Sequence, residues 1–98
     1  MTKETIKLNL ASIRQYNLLR NRDNNPYRQI GQSPSAELAQ KYQDVLKTGP
    51  PLLAALYEEL YVKGKTQKDL VAEWHSSKAA ISRKHSEMIG YLLAHLEI

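Results

Sequence analysis

Apolar residues recur at intervals of three or four along almost the whole chain, and this spacing constrains the fold more than any other feature. Such spacing gathers them on one face of an α-helix, whereas a strand needs an alternation of apolar and polar residues, which persists nowhere here. Proline, glycine and asparagine interrupt the pattern at only a few places. The sequence therefore predicts an all-α fold of four to five helices, formed by one domain over residues 1–98.

The N-terminal half, residues 1–49, is predicted to hold two helices. The first covers about residues 5–21, and residues 23–33 form a loop because asparagine and proline favour turns there. Three residues near its start compete for the N-cap position: Thr2, Thr5 and Asn9. The second helix begins at Pro34 after the cap Ser33 and ends at a Gly-Pro-Pro sequence.

The C-terminal half, residues 50–98, is predicted to hold three more helices. Their predicted bounds are 51–63, 67–74 and 78–96. The first of the three stops at Gly64, and the other two are capped by Thr66 and Ser77. The last helix is the longest of this half.

Composition and missing motifs exclude several classes of protein. Zero cysteines exclude disulfides, thiolate zinc sites and iron–sulfur clusters. No apolar stretch approaches the ~18 residues of a membrane span and the start of the chain does not resemble a secretion signal, so we expect a cytoplasmic protein with no membrane partner. No P-loop, glycine-rich fingerprint or metal-ligand set is present, which predicts a protein that is not an enzyme and uses no cofactor or metal. His75, His85 and His95 are spaced ten residues apart, ~15 Å along a helix, which is too far for one metal ion. His85 is expected to be a packed or interfacial residue with bonded ring nitrogens.

Positive charge is concentrated in two windows of a chain whose net charge is +4. Residues 1–28 carry six lysines and arginines against Glu4 and Asp23, and residues 75–86 carry three against no acid. Such an uneven distribution is a weak indication of polyanion binding. For the N-terminal cluster two interpretations stay open, a second arm that contacts phosphate and an ordinary solvated helix surface.

Residues 66–83, TQKDLVAEWHSSKAAISR, carry the most information about function. They predict a short capped helix, a three-residue connection and a second helix, with Leu70 and Trp74 facing Ile81 across the turn. Trp74 is expected to be a core residue that anchors this joint. The arrangement is that of a helix-turn-helix, whose second helix enters the major groove of DNA, a groove about 12 Å wide.

The same stretch resembles known helix-turn-helix units. TQKDL is similar to the opening of their first helix, and residues 77–83 are similar to the start of their recognition helix. Extended backwards, the run PPLLAALYEELYVKGKTQKDL resembles the fourth conserved region of bacterial sigma factors, an architecture shared by small transcription regulators of phages and mobile elements. The resemblance covers roughly residues 50–96 and implies sequence-specific binding of double-stranded DNA in transcription control, whereas residues 1–49 resemble no family that we can name.

Three departures from the family pattern leave open a motif that packs but no longer binds DNA. Val71 stands where the family has alanine, and Ser76 replaces an apolar turn residue. His75 stands at the turn glycine, where a left-handed backbone costs a residue with a side chain about 1–2 kcal/mol.

The predicted DNA-binding residues are Ser77, Lys78, Ala79, Ser82, Arg83 and Lys84. Ser77 caps the recognition helix, and Lys78 faces the groove or a flanking phosphate. Ala79 and Ser82 are small enough for close approach to base edges, Arg83 has the planar fork that pairs with guanine, and Lys84 is assigned to phosphate. The alternative is an ordinary solvated helix face.

Partners are predicted on the same grounds. We expect a homodimer, because two-fold pairing doubles a DNA site and because residues 89–96, or else Leu10, Ile13 and Leu18, need an apolar partner. The alternative function is a protein-interaction module that uses the helix-turn-helix as a scaffold and binds RNA polymerase, another regulator or a nuclease.

Overall fold

The computed structural model describes residues 2–22 and 34–96. Five α-helices and one π-helical turn account for most of them, and the described residues contain no strand, so the all-α prediction is confirmed. The elements are α1 (Lys3–Arg22), α2 (Pro34–Lys47), α3 (Pro51–Tyr57), the π-helical turn (Glu58–Val62), α4 (Gln67–Glu73) and α5 (Lys78–Leu96). The predicted loop over 23–33 and the cap Ser33 lie outside the described residues.

The start of α1 selects one of the three candidate caps. Thr2 Oγ1 accepts a hydrogen bond from the backbone N–H of Thr5 at 3.2 Å, and the Thr2 carbonyl accepts one from the N–H of Ile6 at 3.1 Å. These bonds satisfy N–H groups that the first helical turn leaves without a partner. The helix therefore begins two residues earlier than predicted.

The π-helical turn is the main departure from the predicted secondary structure, which had one α-helix over residues 51–63. Lys63 N–H reaches back to the carbonyl of Glu58 at 2.9 Å, a bond over five residues rather than four. The side chains of Arg14 and Asn17 on α1 donate to the carbonyls of Gly64 and Tyr61, each at 2.9 Å. The wide turn thus has partners on α1 for carbonyls at its C-terminal end.

Gly64 ends this turn in a left-handed conformation with φ of 80°, as its position after the helix predicts. The side chain of Leu18 lies directly over it, at a place that a Cβ would occupy. Glycine is therefore required at this position by both its backbone angle and the packing of α1.

Helices from both halves of the chain contribute to one buried cluster, and α5 packs against each of the other four helices. The buried apolar residues are Ile6, Leu10, Ile13, Tyr42, Leu46, Leu53, Leu56, Tyr57, Leu60, Leu70, Ile81, Met88, Ile89, Leu92 and Leu96. Of the side chains expected to need a partner chain, Leu10, Ile13 and Leu92 are essentially inaccessible within one protomer, and Leu18 is partly buried against Gly64. Their apolar character is explained by the protomer's own core.

Tyr91 shows how closely α5 approaches the end of α2. Its ring lies against the backbone of Gly49, so that a Cβ built there would stand 2.5 Å from the ring. Its hydroxyl oxygen is 2.7 Å from Thr48 Oγ1, and its ring stacks on His95 with centroids 3.9 Å apart. Gly49 therefore does more than end the helix, because it also makes room for an aromatic ring.

Candidate nucleic-acid interface

The first motif helix, α4, begins with the cap that its sequence predicts. Thr66 Oγ1 accepts from the N–H of Asp69 at 3.2 Å, and Asp69 Oδ2 accepts from the N–H of Thr66 at 3.0 Å. This reciprocal pair is a capping box. Hydrogen bonding of the Asp69 carboxylate to the backbone N–H of Thr66, and then to the Thr66 side chain, holds the pKa of this carboxyl below its usual range. Thr66 is thus confirmed as the cap.

The turn between the motif helices closes with a left-handed residue. Trp74 is the C-cap residue of α4, His75 follows with φ of 51°, and the N–H of Ser76 donates to the Val71 carbonyl at 3.2 Å. This is the hydrogen bond of a Schellman motif, whose left-handed position normally holds glycine. The left-handed conformation foreseen at His75 is confirmed, so the substitution keeps the geometry of the turn at a cost in strain.

The joint between the two helices is buried at Leu70 and Ile81, which are 0% and 2% exposed. Trp74 packs against the same core but is only partly buried. Because it is the C-cap residue that follows the seven-residue helix α4, its ring lies at the rim of the joint. The prediction that Trp74 is a core residue is therefore too strong.

The second motif helix, α5, starts where predicted. Ser77 Oγ accepts from the N–H of Ala80 at 3.1 Å, and the Ser77 carbonyl accepts from the N–H of Ile81 at 3.1 Å. Ser77 is therefore confirmed as the residue that caps α5. Its cap places the first two turns of α5 directly after the turn.

Of the six predicted DNA-binding residues, five are exposed and one is partly buried. The exposed ones are Ser77, Lys78, Ala79, Ser82 and Arg83. Lys84 is the exception, and its Nζ lies 3.3 Å from Glu87 Oε2, one turn further along α5. Within the described residues, Lys78 and Arg83 have no acidic partner, so their charges are available to a ligand.

Two further exposed residues of the motif are missing from the sequence-based prediction. Ser86 is exposed one helical turn beyond Ser82, and Lys68 is exposed on the first turn of α4. The four-residue spacing of Ser86 from Ser82 is the signal that identifies it as an outward residue. Lys68 also has no acidic partner in the part of the chain that the structure describes.

A chain of ion pairs joins α4 to the π-helical turn. The carboxylate of Glu59 contacts Lys63 at 3.0 Å and Lys65 at 2.9 Å, and Lys65 also contacts Glu73 at 2.6 Å. The hydrogen bonds from Lys65 and Lys63 lower the pKa of Glu59. Lys63 and Lys65 are therefore neutralised locally, which leaves the free positive charge of the motif on the exposed lysines and the arginine.

His85 connects α5 to the π-helical turn. Its Nε2 is 2.6 Å from the hydroxyl oxygen of Tyr61, which confirms the expectation of a packed histidine with a bonded ring nitrogen. Burial, and then the positive charge of Lys7 on α1, lower the pKa of His85, so the ring is neutral at pH 7 and its Nε2 shares a hydrogen bond with the Tyr61 hydroxyl. Burial also raises the pKa of Tyr61 to about 12.

Comparison of the chain with protein-family models, with curated proteins and with solved structures gave no match. Among residues 2–22 and 34–96, no helix combines the length and the apolar character needed to cross a membrane. The same residues bring together no set of three histidine and carboxylate side chains suited to a metal ion.

Proposed function

We propose that the protein binds double-stranded DNA through the helix-turn-helix of α4 and α5 and acts in transcription control, in the manner of the small regulators of phages and mobile elements. A role in DNA binding requires neither catalysis nor a cofactor, and it fits a cytoplasmic location. The observation that carries the proposal is a capped, tightly turned helix pair whose second helix presents small residues and unpaired cations to solvent. A helix with such a face fits the major groove.

Sequence reading is assigned to the first turns of α5. Ala79 and Ser82 are exposed and small, so they allow the helix backbone to approach the base edges. Arg83 lies one turn beyond Ala79 and is exposed, with no acidic partner among the described residues. Its guanidinium pairs bidentately with guanine. Ser86 extends the same face by one more turn.

Phosphate contacts are assigned to the lysines around this face. Lys78 and Lys68 stand at the first turns of α5 and α4 and are free to pair with phosphate. Lys84 first has to exchange its contact with Glu87, an exposed pair of a kind worth about 0–1 kcal/mol. The phosphate role of Lys84 is therefore the weakest of the three.

The test is a binding titration on random and selected duplexes across a salt series. Phosphate contacts require log affinity to fall linearly with log salt, with a slope of about −0.9 for each phosphate neutralised. Arg83→Ala should weaken the preferred site by about 1–3 kcal/mol and relax one base pair, whereas Lys84→Ala should weaken all sequences alike. Arg83→Lys is the matched variant, because it keeps the charge and loses the fork.

Lys41→Ala is the control on α2, where the lysine is exposed and lies outside the motif. It should leave sequence preference unchanged. Wild-type protein that binds no duplex at low salt, or Arg83 and Lys84 variants that bind as wild type does, would remove the proposal.

A protein-interaction module is the second candidate, and two exposed leucines favour it. Leu8 and Leu19 on α1 are 70% and 55% exposed and point away from the core. The partner in that case is RNA polymerase, another regulator, a nuclease or a second copy of this chain. Light scattering of wild type and of a Leu8→Lys, Leu19→Lys double variant tests the homodimer. If the two leucines form the dimer interface, wild type should have twice the 11.2 kDa chain mass and the double variant should not.

A further inference from the structure

One flank of α1 faces the helix-turn-helix. Lys3, Lys7, Arg14 and Leu18 are spaced four, seven and four residues apart, which places them within one narrow sector of the helix. Arg14 Nη2 donates to the carbonyl of Gly64 at 2.9 Å, and Leu18 covers the same glycine. Gly64 stands two residues before the cap of α4, so this flank of α1 lies beside the motif.

The other flank of α1 faces α2. Asn9 Nδ2 donates to the hydroxyl of Tyr42 at 2.9 Å, across 33 residues of sequence. The two sets of contacts fix the rotation of α1 about its own axis. The lysines of the first flank therefore lie on the side of the motif rather than on the side of α2.

Lys7 lies close to the recognition helix itself. Its ammonium group is near enough to His85 on α5 to lower the pKa of the imidazole, and α1 packs against α5. His85 follows Arg83 by two residues, about 3 Å along the helix axis but about 160° around it, so Lys7 lies beside a flank of α5 and not on its reading face. Because burial keeps His85 neutral at pH 7, the imidazole does not repel Lys7.

We propose that α1 is a second DNA-contacting element, in which Lys3 and Lys7 bind phosphates of the same duplex that α5 reads. This inference rests on the proposed function. Both lysines are exposed, and neither has an acidic partner in the described ranges. A helix about 10–12 Å across nearly fills a major groove about 12 Å wide, so the strands bordering that groove pass close to the flanks of α5, where Lys7 is.

These contacts would carry affinity but no sequence information, since phosphates are the same at every base pair. They give the N-terminal part of α1 a role in DNA binding beside α5. Lys3 and Lys7, from the N-terminal window of positive charge, and the cations around residue 80 then contact one duplex.

The test measures the salt dependence of duplex binding for the full chain carrying Lys3→Gln and Lys7→Gln together. Loss of two phosphate contacts should reduce the slope of log affinity against log salt by about 1.8. When salt is raised from 50 to 200 mM, the factor by which affinity falls should therefore be roughly twelve times smaller for the double variant than for wild type. Preference among duplex sequences should stay unchanged, and Lys3→Arg with Lys7→Arg should restore the slope.

Lys41→Gln is the matched control, because it removes an exposed lysine from α2, which lies on the other side of α1 from the motif. Circular dichroism should show the same melting temperature for all these variants, since the substituted side chains are exposed. An unchanged slope in the double variant, or an equal change in the Lys41 control, overturns the inference. If the inference about α1 fails in this way but Arg83→Ala still weakens duplex binding, the proposed function stands. A wild-type protein that binds no duplex removes both the inference and the proposed function.

Discussion

Replacement of His75 by glycine isolates the strain in the turn of the motif. His75 is the only residue with a side chain that has a positive φ among the described residues, at 51°. The residue is exposed, and it makes no hydrogen bond or ion pair within the described part of the chain. His75→Gly therefore removes the contact of Cβ with the backbone and little else.

The expected gain follows from two opposing contributions. A left-handed conformation costs an L-residue about 1–2 kcal/mol, and histidine tolerates it better than most residues do. Glycine gives the unfolded chain more freedom, which costs about 0.4–1 kcal/mol. The difference predicts that His75→Gly raises the free energy of unfolding by about 0.5–1 kcal/mol, or roughly 2–8 °C in melting temperature for a domain of this size.

Urea and thermal denaturation followed by circular dichroism measure this difference. Ala72→Gly is the matched control, because Ala72 is exposed three residues earlier within α4, where glycine should cost about 1 kcal/mol. Opposite signs for the two substitutions are expected, with duplex affinity of His75→Gly at least equal to that of wild type. A His75→Gly protein no more stable than wild type, beside a destabilised Ala72→Gly, would show that the turn is not strained.

Three further predictions follow from the packing of single side chains. Gly90→Ala should raise the free energy of unfolding by about 0.5–1 kcal/mol, because nothing lies within 4 Å of the added methyl group. Gly49→Ala should lower it, because its methyl group would stand 2.5 Å from the Tyr91 ring, and chemical denaturation compares the two variants. Burial lowers the pKa of His85 below 6.5 in the folded chain, so the imidazole of the unfolded chain takes up its proton at a higher pH. The contribution of His85 to the free energy of unfolding is therefore complete above pH 6.5 and decreases as the pH falls below it. Denaturation at several pH values should show a flatter dependence of stability on pH for His85→Gln. Trp74→Ala should cost about 2–3 kcal/mol, less than the ~3–5 kcal/mol of a fully buried tryptophan, and the native fluorescence should be partly accessible to a quencher; complete shielding would contradict the rim position.

The candidate site was predictable from sequence wherever its geometry depends on neighbouring residues. Thr66 and Ser77 cap their helices with hydrogen bonds that span three residues, and the left-handed His75 follows from the position of the turn. Such interactions are formed by groups that the chain already holds close together. The starts of α4 and α5 and the exposure of Arg83 could therefore be predicted without knowledge of the rest of the fold.

The tertiary structure decided what depends on contacts between distant residues. Asn17 and Arg14 meet the end of the π-helical turn across 44 and 50 residues, and no local pattern announces that turn. The rotation of α1 likewise placed Lys7 where its charge lowers the pKa of His85, and it buried Leu10 within the protomer rather than leaving it for a partner chain. The periodic apolar pattern determined that each helix has a buried face, because that face follows from the helical repeat alone. Which helix covers that face, and which charges then lie side by side, depends on how all five helices pack together.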